Sequence, residues 1–209
     1  MDITIIFFSG LIVALVGVIP PGLLNITAAK ISLKDGYARG IMFSIGACVI
    51  IVFQAYVATL FARYLSNHQD VVDVLQRVAF VIFVLITIYF LVIARREDKP
   101  KVELKVKSKQ SRFFQGMLLS AINVFPIPYY AYMSITIASF GWMDFGNTSI
   151  ISYVAGATMG SFVTFYFYIF FFDRIKNKSF TSQKSMNLLI GTVTGVISII
   201  TLVNILKEI

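Results

Sequence analysis

The sequence has few charged residues, one cysteine and one histidine. Charged side chains make up 13% of the 209 residues and hydrophobic ones 58%, and the mean hydropathy is +0.84. Soluble domains carry about 25% charged residues, so this composition excludes an ordinary water-soluble protein. The single cysteine, Cys48, excludes an intramolecular disulfide, and the single histidine, His68, excludes a histidine cluster.

In place of charge, the chain has six long uncharged runs. They cover residues 3–29, 40–62, 78–94, 113–143, 145–172 and 185–206. A helix needs about 20 mainly apolar residues to cross the hydrocarbon core of a bilayer, and about 17 can suffice. The runs are apolar throughout and lack the alternation of membrane β-strands. We therefore expect an all-α integral membrane protein with six transmembrane helices.

Lysine and arginine are concentrated in alternate connections between these runs. Fifteen of the eighteen lie in the first, third and fifth connections, and the fourth, "GWMDFGN", has none. Because short loops rich in these residues stay in the cytoplasm, the sequence predicts a multi-pass protein with both termini outside the cytoplasm. Topology and attraction to anionic lipid headgroups account for the net charge of +8. No basic stripe is interleaved with aromatic residues, so nucleic-acid binding is not expected.

An internal repeat divides the chain into two halves. A shift of 106 residues places "FFSGLIVALVGVIP" (7–20) on "FFQGMLLSAINVFP" (113–126) without a gap. The second and fifth spans agree loosely, with Gly46 opposite Gly160. Since each half has three spans, an odd number, the second half should enter the membrane in the opposite sense. We therefore expect two inverted three-helix repeats, residues 1–94 and 113–209, joined by a basic cytoplasmic linker at 95–112.

Prolines interrupt the first helix of each half, at "VIPPGLLNIT" (18–27) and "NVFPIPYYAY" (123–132). Proline has no N–H and displaces the carbonyl one turn earlier. The carbonyls freed in this way would be those of Val16, Gly17, Ile122 and Val124. Such groups must face protein or a wet cavity rather than lipid, and paired interrupted helices in inverted repeats are typical of transporter substrate sites. A simple proline kink in each helix is the alternative.

We expect the two breaks to line a central site for a small solute. The candidate residues are Pro21, Gly22, Asn25, Gln54, Asn123, Pro126 and Tyr129. Asn25, Asn123 and the freed carbonyls would meet a zwitterion's ammonium group, and donors near the breaks would meet its carboxylate. Instead of binding a solute, Gln54 could form a hydrogen bond between helices, worth about 0.6 kcal/mol. The tyrosines, including Tyr56, Tyr130 and Tyr132, could instead belong to an aromatic belt at the membrane interface.

Other polar and aromatic features have simpler interpretations. Intramembrane carboxylates are the usual proton carriers, and no acidic residue lies within the six runs. Asp35 and Asp173, at the ends of runs, are the candidates, with solvated loop charges as the alternative. The aromatic segment "FVTFYFYIFFF" (162–172) is expected to face lipid. The Gly-x-x-x-Gly spacings at 156–160 and 191–195 predict close helix packing, within the chain or across a dimer.

The segment "PGLLNITAAKISLKDGYARGIMFSIG" resembles the start of the lysine exporter (LysE) and homoserine/threonine exporter (RhtB) translocator family. Pro21 and Gly22 match the beginning of its Pro-Gly-Pro motif, and "FFQGMLLSAIN" matches the start of its second half. The glycines that fall at the family's spacing are Gly36, Gly40 and Gly46.

The sequence departs from the family pattern in both motifs. The second proline of Pro-Gly-Pro is Leu23 here, and the family's Asn-Pro-Lys is Asn123, Val124 and Phe125. The resemblance implies export of amino acids or similar small metabolites from the cytoplasm, driven by the proton gradient. It also implies a monomer or homodimer in the bacterial inner membrane, with a small-molecule substrate.

Other classes of function fit the sequence less well. An enzyme would need a nucleophile with a base, or a metal cluster, so no enzymatic activity, cofactor or metal site is expected. An exporter of metal ions would need several Cys or Met ligands, or carboxylates. A non-transporting membrane scaffold or assembly protein would explain the basic linker, but it would leave the paired breaks without a purpose.

Overall fold

The computed structural model is helical over the residues that it describes, which are 2–19, 22–68, 87–93, 108–175 and isolated positions between 71 and 85 and between 192 and 202. It contains no strand within those residues. Six α-helices have defined bounds: α1 (Ile3–Val18), α2 (Leu23–Asp35), α3 (Tyr37–Ser66), α4 (Lys109–Ile122), α5 (Pro126–Ser139) and α6 (Asn147–Ile175). The all-α prediction is thereby confirmed for the part described.

The chain divides into two compact units. The first comprises Met1–Ser66 and Glu103–Ile175 and contains α1 to α6; the second comprises Asn67–Val102 and Lys176–Ile209. In the second unit a π-helical segment spans Tyr89–Ile93, and a Cβ added to Gly195 would lie 3.4 Å from Cγ2 of Thr87. Most of the predicted sixth span and part of the third lie outside the described residues, so the division into sequential halves stays a prediction.

Two helices are each long and apolar enough to cross a bilayer: α3, and the Asn147–Phe171 part of α6. Helices α1 and α2 satisfy the same criterion together and meet at an angle of 79°. The first predicted span is therefore a bent pair of helices, and the fourth is divided between α4 and α5. By length and composition, two or three of the six predicted spans are confirmed within the described residues.

Large apolar side chains on the two long helices point away from the core. They include Phe53, Val57 and Phe61 of α3 and Phe167 and Phe170 of α6, all at least 43% exposed. A soluble protein rarely exposes contiguous apolar surface of this kind. Exposed apolar helices and buried polar side chains are what a bilayer requires of a multi-pass protein.

Glycines allow two pairs of helices to pack with their backbones in contact. A Cβ on Gly10 of α1 would overlap the carbonyl oxygen of Tyr153, and one on Gly156 of α6 would overlap that of Phe7. Helices α4 and α3 pack in the same way, since Gly116 lies against the carbonyl of Phe43 and Gly46 against that of Phe113. These are the most extensive helix contacts in the first unit.

The spacing of these contacts relates the two series of helices, α1 to α3 and α4 to α6. Gly10 and Gly116 differ by 106 residues, as do the capping residues Asp2 and Ser108, whose side chains accept hydrogen bonds from backbone N–H groups of α1 and α4. Gly46 lies against the carbonyl of Phe113 and Gly156 against that of Phe7. Because these two phenylalanines are 106 residues apart, Gly46 corresponds to Gly156. The sequence alignment of Gly46 with Gly160 was therefore wrong by one helical turn.

A glycine with positive φ follows the second helix of each series. Gly36 has φ 100° after α2, and Gly141 has φ 73° after α5. This backbone region is open to glycine and strained for most other residues. The two turns set the directions of the long helices α3 and α6, which begin 110 residues apart.

Candidate functional site

The second break is bridged by a buried amide from another helix. Helix α4 ends at Ile122, and α5 begins at Pro126, where a proline N–H is not needed. Between them the chain leaves carbonyl oxygens without helical partners. Gln54 of α3 donates from Nε2 to the carbonyl oxygens of Ser120, at 3.0 Å, and of Asn123, at 2.8 Å. Gln54 is only 6% exposed, so these two carbonyl oxygens receive their hydrogen bonds from inside the protein.

At the first break, two carbonyl oxygens accept hydrogen bonds from side chains of two different helices. Asn25, in the first turn of α2, donates from Nδ2 to the carbonyl oxygen of Val18, and Tyr168 of α6 donates its hydroxyl to the carbonyl oxygen of Ile19 at 2.7 Å. Asn25 and Tyr168 are both at least 95% buried, so these bonds lie in the interior of the first unit.

Tyr129 connects the two breaks. It lies in the first turn of α5 and donates its hydroxyl to the carbonyl oxygen of Val13 in α1, at 2.8 Å. Its ring occupies the space that a side chain at Gly17 would fill. The C-terminal half of α1 and the beginning of α5 therefore touch.

Several buried polar atoms around the second break have no partner among the described residues. They are Oε1 of Gln54, Oγ of Ser120 and the hydroxyl of Tyr153. A neighbouring hydroxyl, that of Tyr130, lies 3.2 Å from Oγ of Ser161. An unsatisfied buried polar group costs about 1–3 kcal/mol. Groups left open in this way are available to water or to a bound solute.

The electrostatics of this region come from the backbone. No acidic or basic residue lies within 18–29 or 120–134. The N-terminus of α2 follows Gly22 and that of α5 follows Phe125, and neither has a side-chain cap. A helix N-terminus carries about half a positive charge and favours anionic groups. Two of them beside neutral acceptors suit a solute that carries a carboxylate and an ammonium group.

A separate cleft of about 730 Å³ lies between α3 and α6. Its lining is almost entirely apolar and includes Val52, Phe53, Ile151 and Met159. It contains none of the residues of the two breaks. Because it presents no charged or amide side chain, we do not assign the polar site to this cleft.

Asp35 and Arg112 form a fully buried ion pair. Arg112 donates from Nε to Oδ2 of Asp35 at 2.8 Å and from its Nη2 to the same oxygen, and its Nη1 donates to Gln115. Asp35 is 6% exposed and Arg112 0%. The interpretation of Asp35 as a solvated loop charge was wrong, since the carboxylate pairs with a residue 77 positions away. Asp173 has no described side chain.

The structure places most of the candidate site residues at one of the two breaks or beside it. Asn25, Gln54 and Tyr129 donate hydrogen bonds from their side chains, and Asn123 accepts one at its backbone carbonyl. Gly22 and Pro126 begin the helices after the breaks, and Pro21 lies outside the described residues. These residues surround the two breaks, while their binding of a substrate stays a prediction.

Some details of the prediction differ from the structure. The carbonyl of Val124, expected to be free, accepts from the N–H of Ile127 at 3.1 Å. Tyr56 and Tyr132 are exposed, whereas Tyr130 is buried. The aromatic segment 162–172 was expected to face lipid, but its Phe165 and Tyr168 are buried. Phe165 and Tyr168 each lie four residues, about one helical turn, after Ser161 and Thr164. Together these residues form one face of α6, and its polar members were the signal that would have identified the inward face.

The predicted close packing at residues 156–160 is confirmed. Gly160, like Gly156, lies against a backbone carbonyl of α1, that of Leu11. The contact is within the chain. Gly191 lies outside the described residues.

A family model described as "LysE type translocator" matches residues 15–204. The match includes both breaks, the helices that follow them and most of the second unit. No curated protein and no solved structure matches the chain significantly. The resemblance noted from the Pro21 and Gly22 motif is thereby confirmed.

Proposed function

Because the chain belongs to the LysE type translocator family, whose members move solutes across membranes, we propose that it exports a small zwitterionic solute, an amino acid or a similar metabolite, from the cytoplasm. The observation that carries this proposal is the joining of two broken helices through Tyr129. A proline kink alone would need neither the buried Gln54 nor the contact between Tyr129 and α1.

The chemistry of the site supports a solute with both charges. Uncapped N-termini of α2 and α5 would attract its carboxylate. The free acceptor Oε1 of Gln54 and the hydroxyl of Ser120 would receive its ammonium hydrogens. No ionised side chain lies within 18–29 or 120–134, so a solute with a large net charge would be desolvated without compensation.

The proposal includes two inverted series of helices. With α1 to α3 entering from outside and α4 to α6 from the cytoplasm, the basic connections lie inside, as the distribution of lysine and arginine requires. The end of α2 and the start of α4 then lie towards the cytoplasm, and the start of α1 and the end of α5 towards the outside. Alternating access would open one of these helix pairs at a time.

Proteoliposomes test the function directly. The purified protein is reconstituted into vesicles loaded with a panel of labelled neutral, acidic and basic amino acids, with and without an imposed pH gradient. We expect release of one or a few neutral amino acids to exceed release from protein-free vesicles, and to depend on the gradient. Absence of release of every compound, from protein shown to be folded and inserted, would contradict the proposal and favour another solute or the scaffold function.

A further inference from the structure

Asp35 and Arg112 join two helices that otherwise touch at few points. Asp35 is the last residue of α2, and Arg112 lies in the first turn of α4. Helix α2 packs mainly on α3 and α6, and α4 packs mainly on α3. The ion pair is therefore the principal polar connection between the helix that follows the first break and the helix that precedes the second.

The corresponding helices of the other series close without an ion pair. By the 106-residue shift, Arg112 corresponds to Ile6 of α1, which is fully buried and apolar. The residue before Gly36 is Asp35, and the residue before Gly141 is Phe140, which is 68% exposed. Within the described residues, α1 and α5 are joined by apolar packing and the bond from Tyr129 to Val13.

We propose that Asp35 and Arg112 form the inner gate of the transport pathway, a latch that holds α2 against α4 and closes the cytoplasmic side of the site. This inference rests on the proposed function, since it takes its direction from the proposed topology. In the proposed topology the matching positions at the outer end are Ile6 of α1 and Phe140 after α5, and neither carries a charge. The two ends of the pathway thus differ in chemistry at otherwise matching positions.

A buried ion pair suits a gate because its strength depends on the absence of water. In a dry interior the two charges attract strongly, while in water each ion is solvated and the attraction falls. The pair is not saturated, because Oδ1 of Asp35 has no partner among the described residues. Arg112 also has a second acceptor, Gln115, to which it stays bound when α2 moves away. Water entering between α2 and α4 would therefore stabilise the open state.

The gate is tested by the accessibility of a thiol placed behind it. Ser120 is fully buried on α4, two turns inward from Arg112, and S120C adds little volume. Cys48 is the single native cysteine, so C48A gives a background with no other thiol. The readout is the rate at which a membrane-impermeant maleimide labels the thiol introduced by S120C, added to one membrane face at a time. This measurement needs no substrate, so it separates failure of the gate from failure of the proposed function.

We expect slow labelling in the C48A/S120C parent. Labelling from the cytoplasmic face should rise about tenfold or more when D35N or R112Q is added, because loss of the pair shifts the equilibrium towards the inward-open state. Labelling from the opposite face should not rise. The double variant D35N/R112Q leaves no unpaired buried charge and should label as fast, which keeps the test valid if a single variant does not fold.

The matched control is Lys109→Gln. Lys109 is exposed in the same turn of α4, so this change removes one positive charge and leaves the pair intact, and labelling should stay at the parent rate. A folded double variant that labels at the parent rate would overturn the proposal. An equal rise with K109Q, or a rise from the outer face, would also overturn it.

Discussion

Buried polar side chains in this protein serve the backbone at the helix breaks. Gln54, Asn25 and Tyr168 each donate to a carbonyl oxygen within or beside a break. Tyr129 donates to the carbonyl oxygen of Val13 inside α1. In a bilayer the alternative to such a bond is an unsatisfied carbonyl in a low-dielectric interior. Each of these side chains therefore fixes the geometry of the site as well as contributing to its surface.

Tyr168→Phe tests this role at one residue. The change removes one hydroxyl and leaves the carbonyl of Ile19 without that donor, which should destabilise the folded protein by about 1 kcal/mol. For a chain of this size that corresponds to a fall in melting temperature of about 2–4 °C. Melting is followed in detergent by the loss of monodisperse protein. Tyr132→Phe, at a position 66% exposed, should leave the melting temperature unchanged, and an equal fall in both variants would contradict the assignment.

At the residue scale the sequence predicted the amides within the apolar runs and missed Tyr168, which reaches the first break from α6. Asn25 and Gln54 were identifiable because an amide in an apolar run is unusual. Tyr168 was hidden in a segment of aromatic residues, where the polar residues Ser161 and Thr164, one turn earlier, were the available signal of the inward face. The pairing of Asp35 with Arg112 spans 77 residues, and no local pattern records which loop charge folds inward.

Helices pack closely at glycines that occupy matching positions in the two series. A substitution of Gly116 tests how much this close packing contributes to stability. On helix propensity alone, Gly116→Ala should stabilise α4 by about 1 kcal/mol. Because the new Cβ would overlap the carbonyl of Phe43, we expect destabilisation by about 1–3 kcal/mol instead. The sign of the change in melting temperature therefore distinguishes packing from propensity.

A control for Gly116→Ala is available on the other face of α4. Leu118 is 61% exposed, and Leu118→Ala should change stability much less, since so little of that side chain is buried in the described core. Stabilisation by Gly116→Ala would show that α3 and α4 do not pack with Gly116 against the carbonyl of Phe43.

At the element scale the sequence predicted where helices lie better than where they bend. Uncharged runs located α3 and α6, because a bilayer demands length and apolarity. Runs one and four were correctly identified as interrupted, yet their division into α1 with α2 and α4 with α5 depended on tertiary contacts. The correspondence of Gly46 with Gly156 was missed because apolar residues align equally well one turn apart.

At the scale of the whole molecule, the positive φ of both Gly36 and Gly141, the matching caps and the matching glycine contacts favour two related series of helices. The sequence predicted a repeat because Gly10 and Gly116, and Pro20 and Pro126, have the same spacing of 106 residues. The sense in which each series enters the membrane comes from charge alone, and it is the property of the whole chain that most needs a measurement.

Ala38 and Thr148 provide a matched pair for that measurement. Each is the second residue of a long helix, α3 or α6, and each is exposed. In the C48A background, Ala38→Cys and Thr148→Cys should be labelled by an impermeant maleimide from opposite faces, position 38 from the cytoplasm and position 148 from outside. Labelling from the same face would exclude inverted series. Labelling from opposite faces with the sides exchanged would preserve the inversion, reverse the predicted topology and place the Asp35–Arg112 gate on the outside.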